Sequence, residues 1–268
     1  MSKIVLITGA SSGLGKATSE FLSSKGYKVY GTSRDPSKYT SPSSYKLLKL
    51  DVNDVASIDF TINFILKKEK RIDLLINNAG VGITGPGEET DVSEMKKNFN
   101  TNFFGAVLLM QKVLPTMRDN KKGLIINISS IAGYMGLPYR GCYSASKGAL
   151  QLFTESIRME VKKFGVDILT LAPGAFSTNI ADRRYHSPIK NGPYKDDYKK
   201  SLEEMNKHVS DGSNPLEIAE FIYNLSNNES KYRVHYKIGA WLQKFSLILK
   251  KILPDTVYEK ILMSFYKI

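Results

Sequence analysis

Short apolar runs alternate with longer stretches of helical periodicity from the first residues onward. Ile4 to Thr8 is a β-rich run that stops at Gly9-Ala10-Ser11-Ser12-Gly13-Leu14-Gly15, and KATSEFLSSKG then carries a helical pattern. Tyr27 to Thr32 predicts a second strand and Tyr45 to Leu50 a third. A helix from about Asp54 to Lys70 leads to a fourth strand, Leu74 to Asn77. A long helical region through Asn98 to Met117 precedes an apolar strand that opens at Leu124 and ends in Ser129 and Ser130. Another helix begins near Tyr143, and Asp167 to Leu171 is a further strand. This alternation predicts an α/β fold: a doubly wound parallel sheet with helices on both faces, forming a single domain over residues 1–268.

The C-terminal third departs from that rhythm. Residues 179–214 are polar and carry a helical piece around Asp196 to His208; an excursion of this length after a sheet strand predicts a lid over the substrate. NPLEIAEFIYNLSN reads as a helix and YRVHYKIG as the last strand. In residues 240–268, Trp241, Phe245, Ile248, Leu249 and Ile252 recur at helical spacing with Lys244, Lys250 and Lys251 off that face. Pro254 interrupts the pattern, and Tyr258, Ile261, Leu262 and Phe265 restart it. Such basic amphipathic helices pack on the domain or a partner subunit, or lie on a membrane surface as a peripheral contact.

Composition narrows the setting. With 42% hydrophobic residues the chain can bury a full core, and one cysteine, Cys142, rules out an intramolecular disulfide and fits a reducing compartment. The formal net charge is +12, but the lysines are dispersed and no arginine-rich run appears, which argues against nucleic-acid binding and leaves a field that favours a polyphosphate cofactor. No stretch reaches the ~18 apolar residues that span a bilayer. The first apolar run is too short for a signal peptide, so a cytoplasmic protein is expected. His186, His208 and His235 have no ligand spacing, and no metal is predicted.

Strand, glycine turn and helix at Gly9, Ser11, Ser12, Gly13, Leu14 and Gly15 form the context of a phosphate-binding turn, because glycine lets the backbone approach and the helix N-terminus supplies oriented N–H groups. At the end of the second strand, Ser33 and Arg34 stand where an NAD-selective site carries an acid, so NADP(H) is expected. Farther on, Lys147 follows Tyr143 by four residues, about one helical turn, so both side chains share a face. A lysine there stabilises the phenolate form of a side chain that otherwise titrates near ~10. With the Ser130 hydroxyl close by, three groups would converge on one oxygen, which suits interconversion of a carbonyl and an alcohol.

Together TGASSGLG (Thr8–Gly15), NNAG (Asn77–Gly80), NTNFFG around Asn102, NISS (Asn127–Ser130), YSASK (Tyr143–Lys147) and PGAFST (Pro173–Thr178) resemble the short-chain dehydrogenase/reductase family, in its order and spacing over residues 1 to about 180. The resemblance implies a Rossmann-type sheet and four catalytic residues. Tyr143 is the acid/base, Lys147 lowers its pKa and binds the nicotinamide ribose, Ser130 binds the substrate oxygen, and Asn102 holds a water in a proton relay. Ser130 is preferred to Ser129 because its thirteen-residue step to Tyr143 matches the family pattern. It also places Asp51 and Val52 at the adenine, Asn78, Ala79 and Gly80 beneath the adenosine side, and Pro173, Gly174, Phe176 and Thr178 around the nicotinamide. Asn98 and Asn100 are expected on a helix surface or turn, Ser129 in a supporting role, and Cys142 in packing. The tail resembles the steroid- and retinol-type branch, whose substrates are apolar, and family members are often homodimers or homotetramers. The reading is therefore an NADP(H)-dependent oxidoreductase acting on an apolar ketone, aldehyde or alcohol. Its rivals are an NAD-linked alcohol dehydrogenase, a family epimerase or dehydratase, and a non-catalytic NADP-binding regulator or membrane-surface protein.

Overall fold

A computed structural model describes residues 2–177, 183–210, 212–228 and 232–268. Strand β1 (Ile4–Ile7) is apolar at every position because both of its faces are covered. Ile4 and Leu6 enter the core on one side of the sheet, and Val5 and Ile7 the core on the other. Around it, β2 (Lys28–Ser33), β3 (Lys46–Lys49), β4 (Leu74–Asn77), β6 (Gly123–Ile128), β7 (Val166–Pro173) and β9 (His235–Ile238) complete a parallel sheet of order β3-β2-β1-β4-β6-β7-β9. Val5 lies opposite both Val29 and Leu74, so β1 is the centre from which the strand order runs both ways. Ligands of such sheets sit outside the carboxyl ends of the strands at that reversal.

One face is covered by α2 (Val55–Glu69), α4 (Gly105–Asp119) and α5 (Gly141–Val161), through residues such as Ile58, Ile62, Leu109, Val113 and Ile157. The Asp54 carboxylate accepts from the Ala56 N–H and caps α2 at its start. The opposite face is covered by α1 (Gly13–Ser24) and α7 (Pro215–Asn227). These two helices meet through Tyr223, whose ring lies 6.0 Å from Phe21 and 5.7 Å from Tyr27, while the Tyr27 hydroxyl donates to Asn227 Oδ1 at 2.8 Å.

Three details depart from the sequence pattern. The helical region before α4 is broken into α3 (Val92–Phe99) and a π turn over Asn100–Phe104, a wider winding that marks functional positions in helices. A second, two-stranded sheet pairs β5 (Ile83–Thr84) with β8 (Tyr185–His186), each too short to show a period of two. The last sheet strand is four residues, shorter than the eight-residue stretch YRVHYKIG that predicted it.

The expected lid is tied down at several points. Ser177 N donates to Ser213 O and Ser213 N to Ala175 O, closing its base. Its helix α6 (Lys195–Ser210) buries Tyr198, whose hydroxyl donates to Thr84 O at 3.2 Å. Beyond β9, helices α8 (Trp241–Ile252) and α9 (Asp255–Tyr266) turn back over the loop that follows β6, burying Leu247 and Tyr258 against Ile131 and Met135.

Candidate active site

The glycine turn after β1 has the shape that its residue types require. Gly9 has φ +67°, in the left-handed region. Gly15 meets the turn so closely that a Cβ on it would lie 2.3 Å from Gly9 O and 2.5 Å from Asn78 Nδ2. Thr8 and Asn78 lace the turn to the end of β4: Thr8 Oγ1 accepts from the Asn78 and Ala79 N–H groups, and Asn78 Nδ2 donates to Thr8 O and Gly9 O. Ser12 starts α1 without a side-chain cap, leaving the first-turn amides of that helix as donors for an anion. These features fit a dinucleotide pyrophosphate.

Cations flank that turn. Arg34 is exposed beside the buried Ser33 at the end of β2. Arg183, from the lid segment, donates to Ser12 Oγ at 2.9 Å. Between them the Tyr39 phenol is held below its ordinary pKa, first by the Ser11 hydroxyl and then by the charges of Arg183 and Arg34. Sequence reasoning missed Arg183 because its contact with Ser12 spans 171 residues. Asp51 accepts from the Asn53 N–H, and Val52 is buried against Gly105, where a Cβ would sit 2.9 Å from its side chain.

On α5, Tyr143 and Lys147 are both buried. Lys147 Nζ donates to Ile128 O at 2.8 Å at the end of β6, and burial pushes its pKa below the ordinary lysine value, opposed in part by Tyr143. A Cβ on Gly80 would lie 3.3 Å from both Lys147 Nζ and Asn102 Oδ1, so the loop after β4 passes directly beside the two. The Tyr143 ring packs with Ile83 and Ala132, and the Arg140 guanidinium stands over it at 5.0 Å. Arg140 precedes Tyr143 by three residues, a helical spacing that could have revealed it.

The π turn holds Asn102 by its side chain: Oδ1 accepts from Val81 N at 2.8 Å, and Nδ2 faces Val81 O, Asn98 Oδ1 and Ser146 Oγ at 3.0–3.2 Å. Asn98 is not the surface residue expected from its polarity. It is 2% exposed and donates to Val81 O at 2.9 Å, because an amide i−4 to Asn102 satisfies the same buried carbonyl.

The two serines divide clearly. Ser129 Oγ donates to Lys147 O and accepts from Gln151 Nε2, bracing α5 against β6. Among the described residues, Ser130 Oγ accepts only from its own turn, the Ala132 N–H at 3.1 Å, which leaves its hydroxyl proton for another acceptor. Cys142 is a free thiol in an apolar contact with Met95 and Tyr143, pushed up by burial. His235 bridges Thr170 and Glu155 on the sheet edge, away from these groups.

After β7, Pro173 ends the strand, Gly174 donates to Ile238 O, and Phe176 is buried; Thr178 lies outside the described residues. Gln243 of α8 closes this corner, accepting from Ala175 N at 3.1 Å where any Cβ on Gly174 would collide with it.

A protein-family model described as short chain dehydrogenase matches residues 3–188. A curated relative from Bacteroides thetaiotaomicron, 3-ketodihydrosphingosine reductase, is 39% identical over 99% of this chain and 98% of its own. Another, an NADPH-dependent 3-dehydrocapnine reductase from Ornithobacterium rhinotracheale, is 33% identical over 78% and 77%. Among solved structures, a short-chain dehydrogenase from Streptomyces avermitilis superimposes with a TM-score of 0.80 at 30% identity, covering 97% of each chain.

Proposed function

The chain belongs to the short-chain dehydrogenase family and is an oxidoreductase of carbonyl and alcohol groups; we propose that it uses NADP(H) and acts on an apolar ketone or aldehyde. The observation that carries this reading is the meeting of Lys147 and Asn102 at Gly80, with buried Tyr143 one helical turn before Lys147 on α5, together with a glycine turn flanked by Arg34 and Arg183. When bound, the cofactor supplies hydride to the carbonyl carbon. Tyr143 then gives its phenolic proton to the carbonyl oxygen, and the Lys147 ammonium stabilises the phenolate left behind. Ser130 donates to the same oxygen as charge develops there. Asn102 holds the water through which the proton is replaced, and Lys147 also meets the nicotinamide ribose.

Gly9, Ser11, Ser12, Gly13, Leu14 and Gly15 cradle the pyrophosphate in this reading, and Ser33 and Arg34 take the 2′-phosphate. Asp51, Val52 and Asn78 to Gly80 lie along the adenosine, with Pro173, Gly174 and Phe176 near the nicotinamide. Residues 179–214, of which 183–210 and 212–214 are described, serve as the lid. The names of the two curated relatives, both reductases, support the direction of reaction, and that of the Ornithobacterium rhinotracheale relative, NADPH-dependent, supports the cofactor.

The test is reduction of a panel of long-chain and cyclic ketones, followed by loss of reduced-cofactor absorbance. Turnover with NADPH well above that with NADH is expected, and Arg34→Ala should erase the preference. A charged hydrogen bond to phosphate is worth about 1.5–3 kcal/mol, so NADPH affinity falls about 10- to 100-fold while NADH affinity stays. Equal or better binding of NADH by the unmodified chain would move the assignment to an NAD-linked alcohol dehydrogenase.

The tail carries a second, separable expectation. No described helix is long and apolar enough to cross a membrane. Yet Trp241 is 66% and Leu242 71% exposed, near Lys244, Lys250 and Lys251. We infer that this face rests on an anionic lipid surface. Cosedimentation with phosphatidylglycerol vesicles should be strong at low salt and fall steeply in Trp241→Ser/Leu242→Ser; no cosedimentation would remove the idea. Leu152 and Met159, both largely exposed on α5, support a homodimer or homotetramer.

A further inference from the structure

Arg184 stands one residue beyond the cofactor-side Arg183, at the entry to β8. Its aliphatic stem crosses Gly82 so closely that a Cβ there would lie 2.8 Å from Arg184 Cγ. The residue is only 7% exposed. A guanidinium offers five N–H donors. Among the described residues, Arg184 makes one long hydrogen bond, to Asn206 Oδ1 at 3.4 Å, and no ion pair. A buried charge left without a counter-ion is costly, and structures keep one where a ligand supplies the partner.

Its neighbours point to which ligand. Tyr185 and Ile83, which pair with each other immediately after the Arg184–Gly82 crossing, pack in the same apolar cluster as Tyr143. Burial and then the charge of Arg140 push Arg184 below the ordinary arginine pKa, while the phenols of Tyr143, Tyr198 and Tyr266 oppose that shift. Arg140 is itself the guanidinium over the Tyr143 ring, and it too forms no ion pair among the described residues. Two cations without an acid thus flank the proposed proton donor. Leu137 packs against the Tyr143 cluster and also against a second apolar cluster made by Ile131, Met135 and Leu247.

We propose that Arg184, assisted by Arg140, binds an anionic group carried by the substrate, so that the substrate is a keto compound with an apolar chain and a carboxylate, sulfonate or phosphate near the reacting carbonyl. The site rests on the reading of Tyr143 as the group at that carbonyl. Arg geometry suits such oxyanions bidentately.

The probes are 4-oxododecanoate and its methyl ester, assayed with NADPH, together with thermal protection of the NADP-supplemented protein by decanoate and by decanol. In the unmodified chain, kcat/KM for the acid should exceed that for the ester by about tenfold or more, through KM. Arg184→Gln should bring the ratio near one, and Arg184→Lys should restore most of it. Decanoate should raise the melting temperature of the unmodified chain more than decanol does, and lose that advantage in Arg184→Gln. If decanoate protects in this Arg184-dependent way while neither ketone is reduced, the anion site stands and the reductase reading falls. If acid and ester are equal, or Arg184→Gln lowers both alike with no change in decanoate protection, Arg184 is structural and the proposal is overturned.

Discussion

Tyr143→Phe should lower kcat about 10²- to 10⁴-fold while leaving the NADPH dissociation constant and the melting temperature nearly unchanged. The magnitude is that of a positioned general acid, equivalent to about 3–5 kcal/mol of barrier. The selectivity follows from where the ring sits. Its apolar part packs with Ile83 and Ala132 and lies under Arg140, and phenylalanine keeps those contacts. Only the hydroxyl is lost, so the enzyme should still bind cofactor and fail to complete the proton transfer. Stopped-flow titration of NADPH beside steady-state reduction separates the two. Retention of more than about a tenth of the rate would mean that another group protonates the oxygen, and unchanged biological function in the variant would favour the non-catalytic regulator.

Gly15→Ala should abolish useful cofactor binding, with a loss of at least about tenfold in NADPH affinity and a melting temperature lower by about 2–10 °C. One methyl group has this effect because it would be placed 2.3 Å from Gly9 O and 2.5 Å from Asn78 Nδ2. Neither neighbour can move cheaply, since Asn78 is itself bonded to Thr8 O and Gly9 O. Overpacking of this kind costs about 1–3 kcal/mol, and in a chain of this size each kcal/mol is worth about 2–4 °C. The same methyl group at Gly87, where nothing lies within 4 Å, is the matched control and should change neither quantity. Equal behaviour of the two variants would show that the turn adapts, and the cradle argument would fail.

The sequence made the frame of the molecule legible because its signals are local. Apolar strands covered on both faces, the glycine turn after β1 and the i, i+4 pair Tyr143/Lys147 are all written within a few residues. Ser130 and Ser129 could be ranked only through the family resemblance, whose thirteen-residue step to Tyr143 selects Ser130; the physical distinction, that Ser129 is committed to Lys147 O and Gln151, needs the packed helix. What stayed hidden depends on distant parts of the chain. Arg183 and Arg184 read as two polar residues in a polar excursion until β8 pairs with β5. Asn98 looked like surface because polarity is a guide to exposure only where no buried carbonyl demands a donor. The π turn at Asn102 spans only five residues, too few to set a period of its own, so no pattern announces it.

The clasp between α1 and α7 also sets a schedule for the newborn chain. The outer face of α1 and the Tyr27 hydroxyl find their partners, Tyr223 and Asn227, about 200 residues later. At translation rates of about 5–20 residues per second, those partners emerge roughly 10–40 s after the segment they cover. Until then the sheet face bearing Val5, Ile7 and Val29 has α1 over it but lacks the apolar side chains of α7, Ile218, Ile222 and Leu225. This protein should therefore depend on chaperone protection during synthesis, and a chain truncated before residue 215 should aggregate even though it contains every residue assigned to the proton transfer.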